Sequence, residues 1–324
     1  MLAVRAMSAS PDSPLDALQV GDVADSEIED AAPGDWVAVT LRAMALNQHD
    51  VWSLRGVGLA EEHLPMVLGC DGAGVTDDGR EVIVHAVVIS TDWTGPETQD
   101  PKRSLLSERH NGTLAERVWV PKGNLVPKPD ALSFEEAACL PTAWLTAYSM
   151  LGKAGLVNGD TVLVQGAGGG VSTALVVLGS ALGYRVWVTS READRGARAV
   201  ELGAEQAFES GARLPQRVDA VMESVGKATW AHSLRALRPG GTIVTCGATS
   251  GDSPSAELNR VFFQQLRILG STMGSRAELE EVAALVADRG IHPVIDSVRP
   301  LAEAASAFDR LISGETFGKL VLTA

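Results

Sequence analysis

The sequence predicts an α/β protein of two domains, one rich in β-strands and one built on a doubly wound parallel sheet. Three observations lead there. The chain has 324 residues, more than a single compact core accommodates. Its first stretch, to about residue 125, breaks into short apolar runs bounded by Gly, Pro and Asp, the pattern of short strands. From residue 161 onward, strand-like and helix-like segments alternate, and such alternation implies a parallel sheet with right-handed crossovers.

Strands are expected at 36–44 (WVAVTLRAM), 81–89 (EVIVHAVVI) and 116–121 (ERVWVP), with 91–112 as a loop. The segment 133–151 has helical spacing, Ser133 and Glu136 form a capping box at its start, and Pro141 should interrupt it. A strand follows at 161–165, a helix at 170–182, a strand at 185–190 and a helix at 192–202 that ends on Gly203. Next come a strand at 218–224, a helix at 227–237 stopped by RPGG (238–241), and strands at 242–247 and 266–273. Helical patterns at 276–289 and 301–313 and a strand-like 317–323 close the chain.

Apolar residues make up 45% of the chain and charged residues 21%, a globular profile. A net charge of −14 argues against nucleic acid, because neutralising phosphates takes clustered Lys and Arg. The three cysteines, Cys70, Cys139 and Cys246, are widely separated and form no CxxC pair. Neither a disulfide framework nor a cysteine zinc site is expected, which suits a reducing compartment, the cytoplasm. The first residues lack the apolar core of a signal peptide, and no 18-residue apolar run predicts a membrane span.

The segment VQGAGGGVS (164–172) puts four glycines within five positions, directly after an apolar strand and before a helix. Glycines allow the backbone to approach a pyrophosphate, and a helix start offers free N–H groups and partial positive charge. Gly166, Ala167, Gly168, Gly169, Gly170 and Val171 are therefore candidate cofactor contacts. The GxGxxG spacing is not met: counted from Gly166 the third position is Val171, and counted from Ala167 the pattern ends on Ser172. At the end of the next strand, where an NAD site carries an acidic residue, stand Ser190 and Arg191, with Arg195 a turn later. Serine and arginine suit a 2′-phosphate, so NADP(H) is expected, although Glu192 is adjacent.

These residues resemble the medium-chain dehydrogenases and reductases, and within them the zinc-independent, quinone-oxidoreductase-like branch. The resemblance rests on NGDTVLVQGAGGGVSTALVVLGSALGYRVWVTS (158–190), LNQHDVWSLRG (46–56), LGCDGAGV (68–75), ACLPTAWLTAY (138–148), LRPGGTIVTCGATSG (237–251) and FGKLVL (317–322), in that family's order and over nearly the whole chain. It implies a GroES-like β-rich catalytic domain, residues 1–127 with 272–324, and a Rossmann domain at 128–271, with the active site in the cleft between them. It also implies cofactor contacts at Thr146, at Cys246, Gly247, Ala248 and Thr249, at Ser271, Thr272 and Met273, and at Lys319, which is expected to reach a phosphate. A homodimer paired through the edge of the Rossmann sheet is implied as well.

Departures from the family pattern bear on the chemistry. Zinc-dependent relatives have Cys where this chain has Asn47, His where it has Cys70, and a third ligand near Thr142. Asn and Thr are poor zinc ligands, so no metal is expected, and His49, His63, His85 and His110 read as isolated polar residues. Trp52 replaces the branch's tyrosine and cannot supply an acidic proton, which leaves water or His49 as the proton source. Trp52 reads instead as a pocket wall, grouped with Leu68, Trp93, Phe262 and Met273. Asn47 and the backbone amides of 271–274 are candidate dipoles for an oxyanion, and Asp50 is expected to order its own loop. The expected activity is NADPH-dependent hydride transfer to a small apolar enone or quinone. The alternatives are an alcohol or aldehyde oxidoreductase of the same fold and a protein that binds NADPH without turnover.

Overall fold

The structure is a computed structural model that describes residues 1–29 and 32–324. The chain divides into two compact units, Met1–Ala143 with Gly274–Ala324, and Trp144–Met273.

In the first unit, the strand Val37–Ala45 is the hub of a seven-stranded sheet. Its apolar residues alternate toward the core, and it pairs antiparallel with Asp71–Thr76, Arg117–Val120 and the final strand Lys319–Thr323. Lys319–Thr323 in turn pairs parallel with Ile295–Pro300. The C-terminal segment belongs to this unit because its last strand completes the sheet begun near the N-terminus. Glu81–Val84 and Leu125–Pro127 extend the other edge. A small sheet of Leu18–Asp22, Leu2–Ala6 and Met66–Val67 completes the unit's strands, together with the two-residue pair Val87–Val88 and Ser104–Leu105.

The segment 133–151 starts as expected. The Ser133 hydroxyl accepts from the Glu136 amide at 3.2 Å and the Glu136 carboxylate accepts from the Ser133 amide at 2.9 Å. Helix Phe134–Ala138 then widens into a π turn, Leu140–Trp144, before Leu145–Ala154 resumes the α-helix. Pro141 has no N–H to donate, and the wider turn absorbs that missing bond. Helix Phe134–Ala138 packs on Val37–Ala45 and Asp71–Thr76, so the division between units falls after Ala143, whereas the sequence expectation put it after residue 127.

The second unit holds a six-stranded parallel sheet in the order Gln206–Glu209, Arg185–Ser190, Thr161–Gln165, Val218–Glu223, Leu237–Thr245, Arg267–Gly270. The order runs outward in both directions from Thr161–Gln165. The carboxyl ends of that strand and of Val218–Glu223 therefore flank a topological switch point, where sheets of this kind bind ligands. Leu163, Trp187, Val221, Leu234, Leu237 and Ile243 are buried in its core, and Phe208 meets the Trp187 ring edge-on at 5.3 Å. Each such side chain contributes roughly 2–3 kcal/mol of burial.

Two expectations change here. RPGG does not stop the preceding helix as a loop; it lies inside the strand Leu237–Thr245, and the helix is the shorter Trp230–Ala236. The reason is the partner strand: Leu237 pairs with Val218 and Thr242 with Ala220, so residues 238–241 bulge out of the register, with Gly240 at a φ of +74°. The strands Leu2–Ala6, Leu18–Asp22, Gln206–Glu209 and Ile295–Pro300 were not legible in the pattern: all are short, and the last three have no fully buried residue. No described helix is long and apolar enough to cross a membrane.

Candidate functional site

In the second unit, the strand Thr161–Gln165 runs into Gly166, whose φ of +88° few side chains tolerate. The Gly166 N–H donates to Thr189 Oγ1 at 3.3 Å, which ties the turn to the neighbouring strand. Gly169 is the N-cap of helix Gly170–Ala181 and is exposed, while Ala167 and Gly168 are buried beneath the turn and Val171 is half-buried. Ser172 explains the imperfect spacing. It is buried, and its Oγ lies 3.6 Å from where a Cβ on Gly166 or Gly169 would stand, so it fills the floor of the loop. The close approach of helix to sheet occurs instead at Gly179, where a Cβ would meet Val186 Cγ2 at 2.8 Å.

At the end of Arg185–Ser190, the Ser190 hydroxyl donates to the Glu192 carbonyl at 2.7 Å. The Glu192 carboxylate is paired with Arg195 at 3.0 Å, so the local negative charge is matched inside its own helix turn. Arg191 is exposed. Beyond Leu237–Thr245, Cys246, Gly247 and Ala248 are half-buried and Thr249 is exposed. Burial, with Glu223 adding to it, pushes the Cys246 thiol up to about 12, so it stays protonated. The Ser271 hydroxyl accepts from Lys153 at 2.9 Å, Thr272 is exposed, Met273 is buried at a φ of +44°, and Thr146 is buried on helix Leu145–Ala154.

Sequence reasoning missed what holds these strand ends together. Glu223 is fully buried, and its carboxylate accepts from the amides of Val225 at 2.8 Å and Gly226 at 3.0 Å and from the hydroxyls of Thr229 at 2.9 Å and Ser233 at 2.6 Å. Gln165 donates to Ser233 at 3.0 Å and accepts from Thr189 at 2.7 Å. The network links three neighbouring strands below the glycine turn. A strand-end carboxylate followed by Ser and Gly was the available signal.

In the first unit, Asp50 caps helix Gln48–Leu54 by accepting from the Asn47 amide at 2.8 Å. The expectation for Lys319 is corrected. It is 2% exposed, and its ammonium donates to Leu46 O at 2.8 Å, Asn47 Oδ1 at 2.6 Å and Asp71 Oδ2 at 2.8 Å. With all three protons engaged among buried partners, it reaches no phosphate. Of the residues read as pocket lining or core, Leu68 and Met273 are buried, Trp93 is half-buried, Phe262 is exposed beside Phe263, and Trp52 is half-buried under the Arg55 guanidinium, 5.3 Å from its ring centre.

His49 is not isolated. Its Nε2 lies 2.9 Å from Glu108 Oε1, and its Nδ1 lies 3.5 Å from Cys70 Sγ and 4.0 Å from Asp50 Oδ1. Burial works against its charge, but Cys70, Asp50 and Glu108 outweigh that and hold the imidazole well above its ordinary value. Burial pushes the Cys70 thiol up, with His49 offsetting part of the rise. The other three histidines stay apart: His85 contacts Gly274 O at 3.1 Å, His110 contacts Ser104 Oγ at 3.0 Å, and His63 lies in the short turn Glu61–His63. Of the positions where the zinc-dependent pattern has ligands, Cys70 is a buried thiol beside His49. Asn47 already faces the Lys319 cation through its only acceptor atom, and Thr142 is a hydroxyl.

A parallel six-stranded sheet with a bare glycine turn at its switch point, joined in one chain to a β-rich unit that closes through its C-terminal strand, defines a two-domain dinucleotide-type fold. Residues 33–130 match the alcohol dehydrogenase GroES-like domain, and residues 195–322 match the zinc-binding dehydrogenase family. A crotonyl-CoA reductase of Streptomyces avermitilis is 30% identical, over 87% of this chain and 77% of that protein. An acryloyl-coenzyme A reductase of Metallosphaera sedula is 29% identical, over 92% of this chain and 95% of that one. A solved structure described as an NAD-dependent alcohol dehydrogenase superposes with a TM-score of 0.89 at 34% identity, covering 100% of both chains. The chain belongs to the medium-chain dehydrogenase/reductase superfamily, a superfamily of oxidoreductases.

Proposed function

We propose that this protein is an NADPH-dependent reductase of the carbon–carbon double bond of α,β-unsaturated carbonyl compounds, with enoyl thioesters, free enones and quinones as the substrate class. The observation that carries the reading is Asn47 bound to Lys319: the residue at the first zinc-ligand position of the zinc-dependent pattern spends its only side-chain acceptor on a buried cation. Chemistry that needs only a positioned hydride and fixed dipoles fits that arrangement better. The two similar acyl-CoA reductases point the same way.

NADPH, held on the amides of Gly166–Val171, would supply a hydride to the substrate's β-carbon and leave negative charge on its carbonyl oxygen. A proton from water then completes the α-carbon, since both ring nitrogens of His49 are engaged in its own cluster. The protein's share is to grip the pyrophosphate on the amides of Gly166–Val171 and to receive the 2′-phosphate on Arg191. Gly247, Ala248 and Thr249 line the cofactor's path at a strand end. Three free cysteines suit action in a reducing cytoplasm.

Steady-state rates with NADPH and NADH on crotonyl-CoA, a medium-chain enone and 1,4-benzoquinone test this. The expected result is NADPH oxidation, with the double bond saturated in the enoyl thioester and the enone and hydroquinone formed from the quinone. NAD(P)-dependent alcohol oxidation with no reduction of any of the three would overturn it. That second reading has one observation in its favour, the similarity to an NAD-dependent alcohol dehydrogenase.

A further inference from the structure

We propose that Glu223 is a positioning residue for the nucleotide: through Ser233, Gln165 and Thr189 it directs a buried hydrogen-bond chain that ends on the Gly166 peptide, and so holds the glycine turn in the form that grips a pyrophosphate. This deepens the cofactor reading of that turn and rests on it. All the residues involved lie in the second unit. Glu223 is fully buried at the end of Val218–Glu223, and every partner of its carboxylate is a donor: the amides of Val225 and Gly226 and the hydroxyls of Thr229 and Ser233. A carboxylate accepts only, so the single hydroxyl proton of Ser233 is committed to it at 2.6 Å. Toward Gln165, Ser233 Oγ can then only accept, and Gln165 presents Nε2 to it at 3.0 Å. The other Nε2 proton goes to His232 Nδ1 at 2.9 Å, and His232 Nε2–H is spent on Ala212 O at 2.9 Å. The Gln165 amide is therefore fixed with Oε1 toward Thr189, which donates to it at 2.7 Å and keeps a lone pair for the Gly166 N–H at 3.3 Å.

The turn needs such an anchor because glycine is the residue least restrained by its own sterics, and Gly166 sits at a φ of +88°. A turn held in its binding form before the ligand arrives loses less conformational entropy on binding. Within Gly166–Val171, the amide of Gly166 anchors the turn, and the amides after it, up to the open first turn of helix Gly170–Ala181, are set for phosphate oxygens. The same carboxylate fixes a second strand-end loop. Its partners Val225 and Gly226 are tied to the loop after Leu237–Thr245: Val225 O accepts from the Ser250 amide at 2.8 Å and from Ser250 Oγ at 2.6 Å, and Gly251 O accepts from the Lys227 amide at 2.9 Å. A Cβ on Gly226 would stand 2.5 Å from Gly251 O and 2.8 Å from Ala248 Cα, so the two loops pack backbone on backbone. One buried acceptor thus sets both the glycine turn and the loop of Gly247, Ala248 and Thr249.

The test measures binding of NADPH to the purified full-length protein by its fluorescence, and binding of adenosine 2′-monophosphate by competition. The second ligand carries the 2′-phosphate but no pyrophosphate. Thr189→Val keeps the shape and burial of the side chain and cuts the last link of the chain; Ser233→Ala cuts the first. Each should weaken NADPH by about 5–10-fold, the loss of a buried hydrogen bond, with adenosine 2′-monophosphate affinity and circular dichroism unchanged. Thr189→Ser, which keeps the hydroxyl, should restore NADPH affinity. Glu223→Gln replaces an acceptor-only group with one that also donates, and should weaken NADPH by about 10–100-fold. Equal weakening of both ligands would show a merely structural role and overturn the proposal, as would unchanged NADPH affinity in both Thr189→Val and Ser233→Ala. The two readings fail separately: a wild-type protein that binds no NADPH sinks the cofactor reading of the turn, whereas wild-type binding that the variants leave untouched sinks only the role of Glu223.

Discussion

Arg191 is the residue on which cofactor choice is proposed to turn. It is exposed at the end of Arg185–Ser190, whereas Arg195 is held by Glu192 at 3.0 Å. Replacing Arg191 with alanine is expected to cut the ratio of kcat/KM for NADPH over NADH by about 10–100-fold, the loss of one or two charge-assisted hydrogen bonds. An unchanged ratio would remove Arg191 from that role. Lys319 carries a different prediction. With Asp71 fully buried against it, Lys319→Met leaves a carboxylate unpaired, and the fold should lose roughly 3–5 kcal/mol in urea unfolding. The sequence offered Lys319, beside the C-terminal strand, either as a phosphate contact or as an ordinary solvated lysine, and it is neither: it is 2% exposed. Its burial depends on Leu46, Asn47 and Asp71, more than 240 residues away along the chain, as the separations of 273, 272 and 248 record.

At the scale of the element, local grammar was read well where a segment satisfies itself. The Ser133 capping box, the strand Thr161–Gln165 with its glycine turn, and the interruption at Pro141 all follow from neighbours in sequence. Elements that depend on a partner were read poorly. RPGG is a bulge within a strand only because Leu237 and Thr242 on either side of it pair with Val218 and Ala220, and Gln206–Glu209 is a strand only because Arg185–Ser190 offers it an edge. His85 illustrates the same dependence and yields a pH prediction. It follows the strand Glu81–Val84, is 1% exposed, and contacts Gly274 O. Burial, with Arg276 nearby, lowers it to about 4 from 6.5. The unfolded chain therefore takes up a proton at this site that the folded chain refuses, and the neutral form's stability is lost as pH falls from 6.5 toward 4. The loss should reach about 3 kcal/mol, read as the difference between wild type and His85→Gln in urea unfolding at pH 7 and pH 4.5. Equal slopes for the two proteins would refute it.

At the scale of the whole molecule, the exposed apolar residues are not scattered evenly. Leu258, Phe262 and Phe263 on helix Leu258–Phe263 and Ile268 on the edge strand Arg267–Gly270 are all exposed, Phe263 by 74%. An open parallel edge flanked by apolar side chains is the surface a second copy would cover. We expect a dimer in sedimentation, and a monomer after Phe263→Asp with Ile268→Lys; a monomeric wild type would refute the pairing. The sequence by itself determined the α/β class and the glycine turn between its flanking strand and helix, because strand, turn and helix are decided by residues within a few positions of each other. Only the tertiary structure decided the His49–Cys70–Glu108 cluster and the fate of Lys319. Their members are separated by 21, 59 and more residues, and contact between them exists only once the sheet of the first unit has brought distant strands into register.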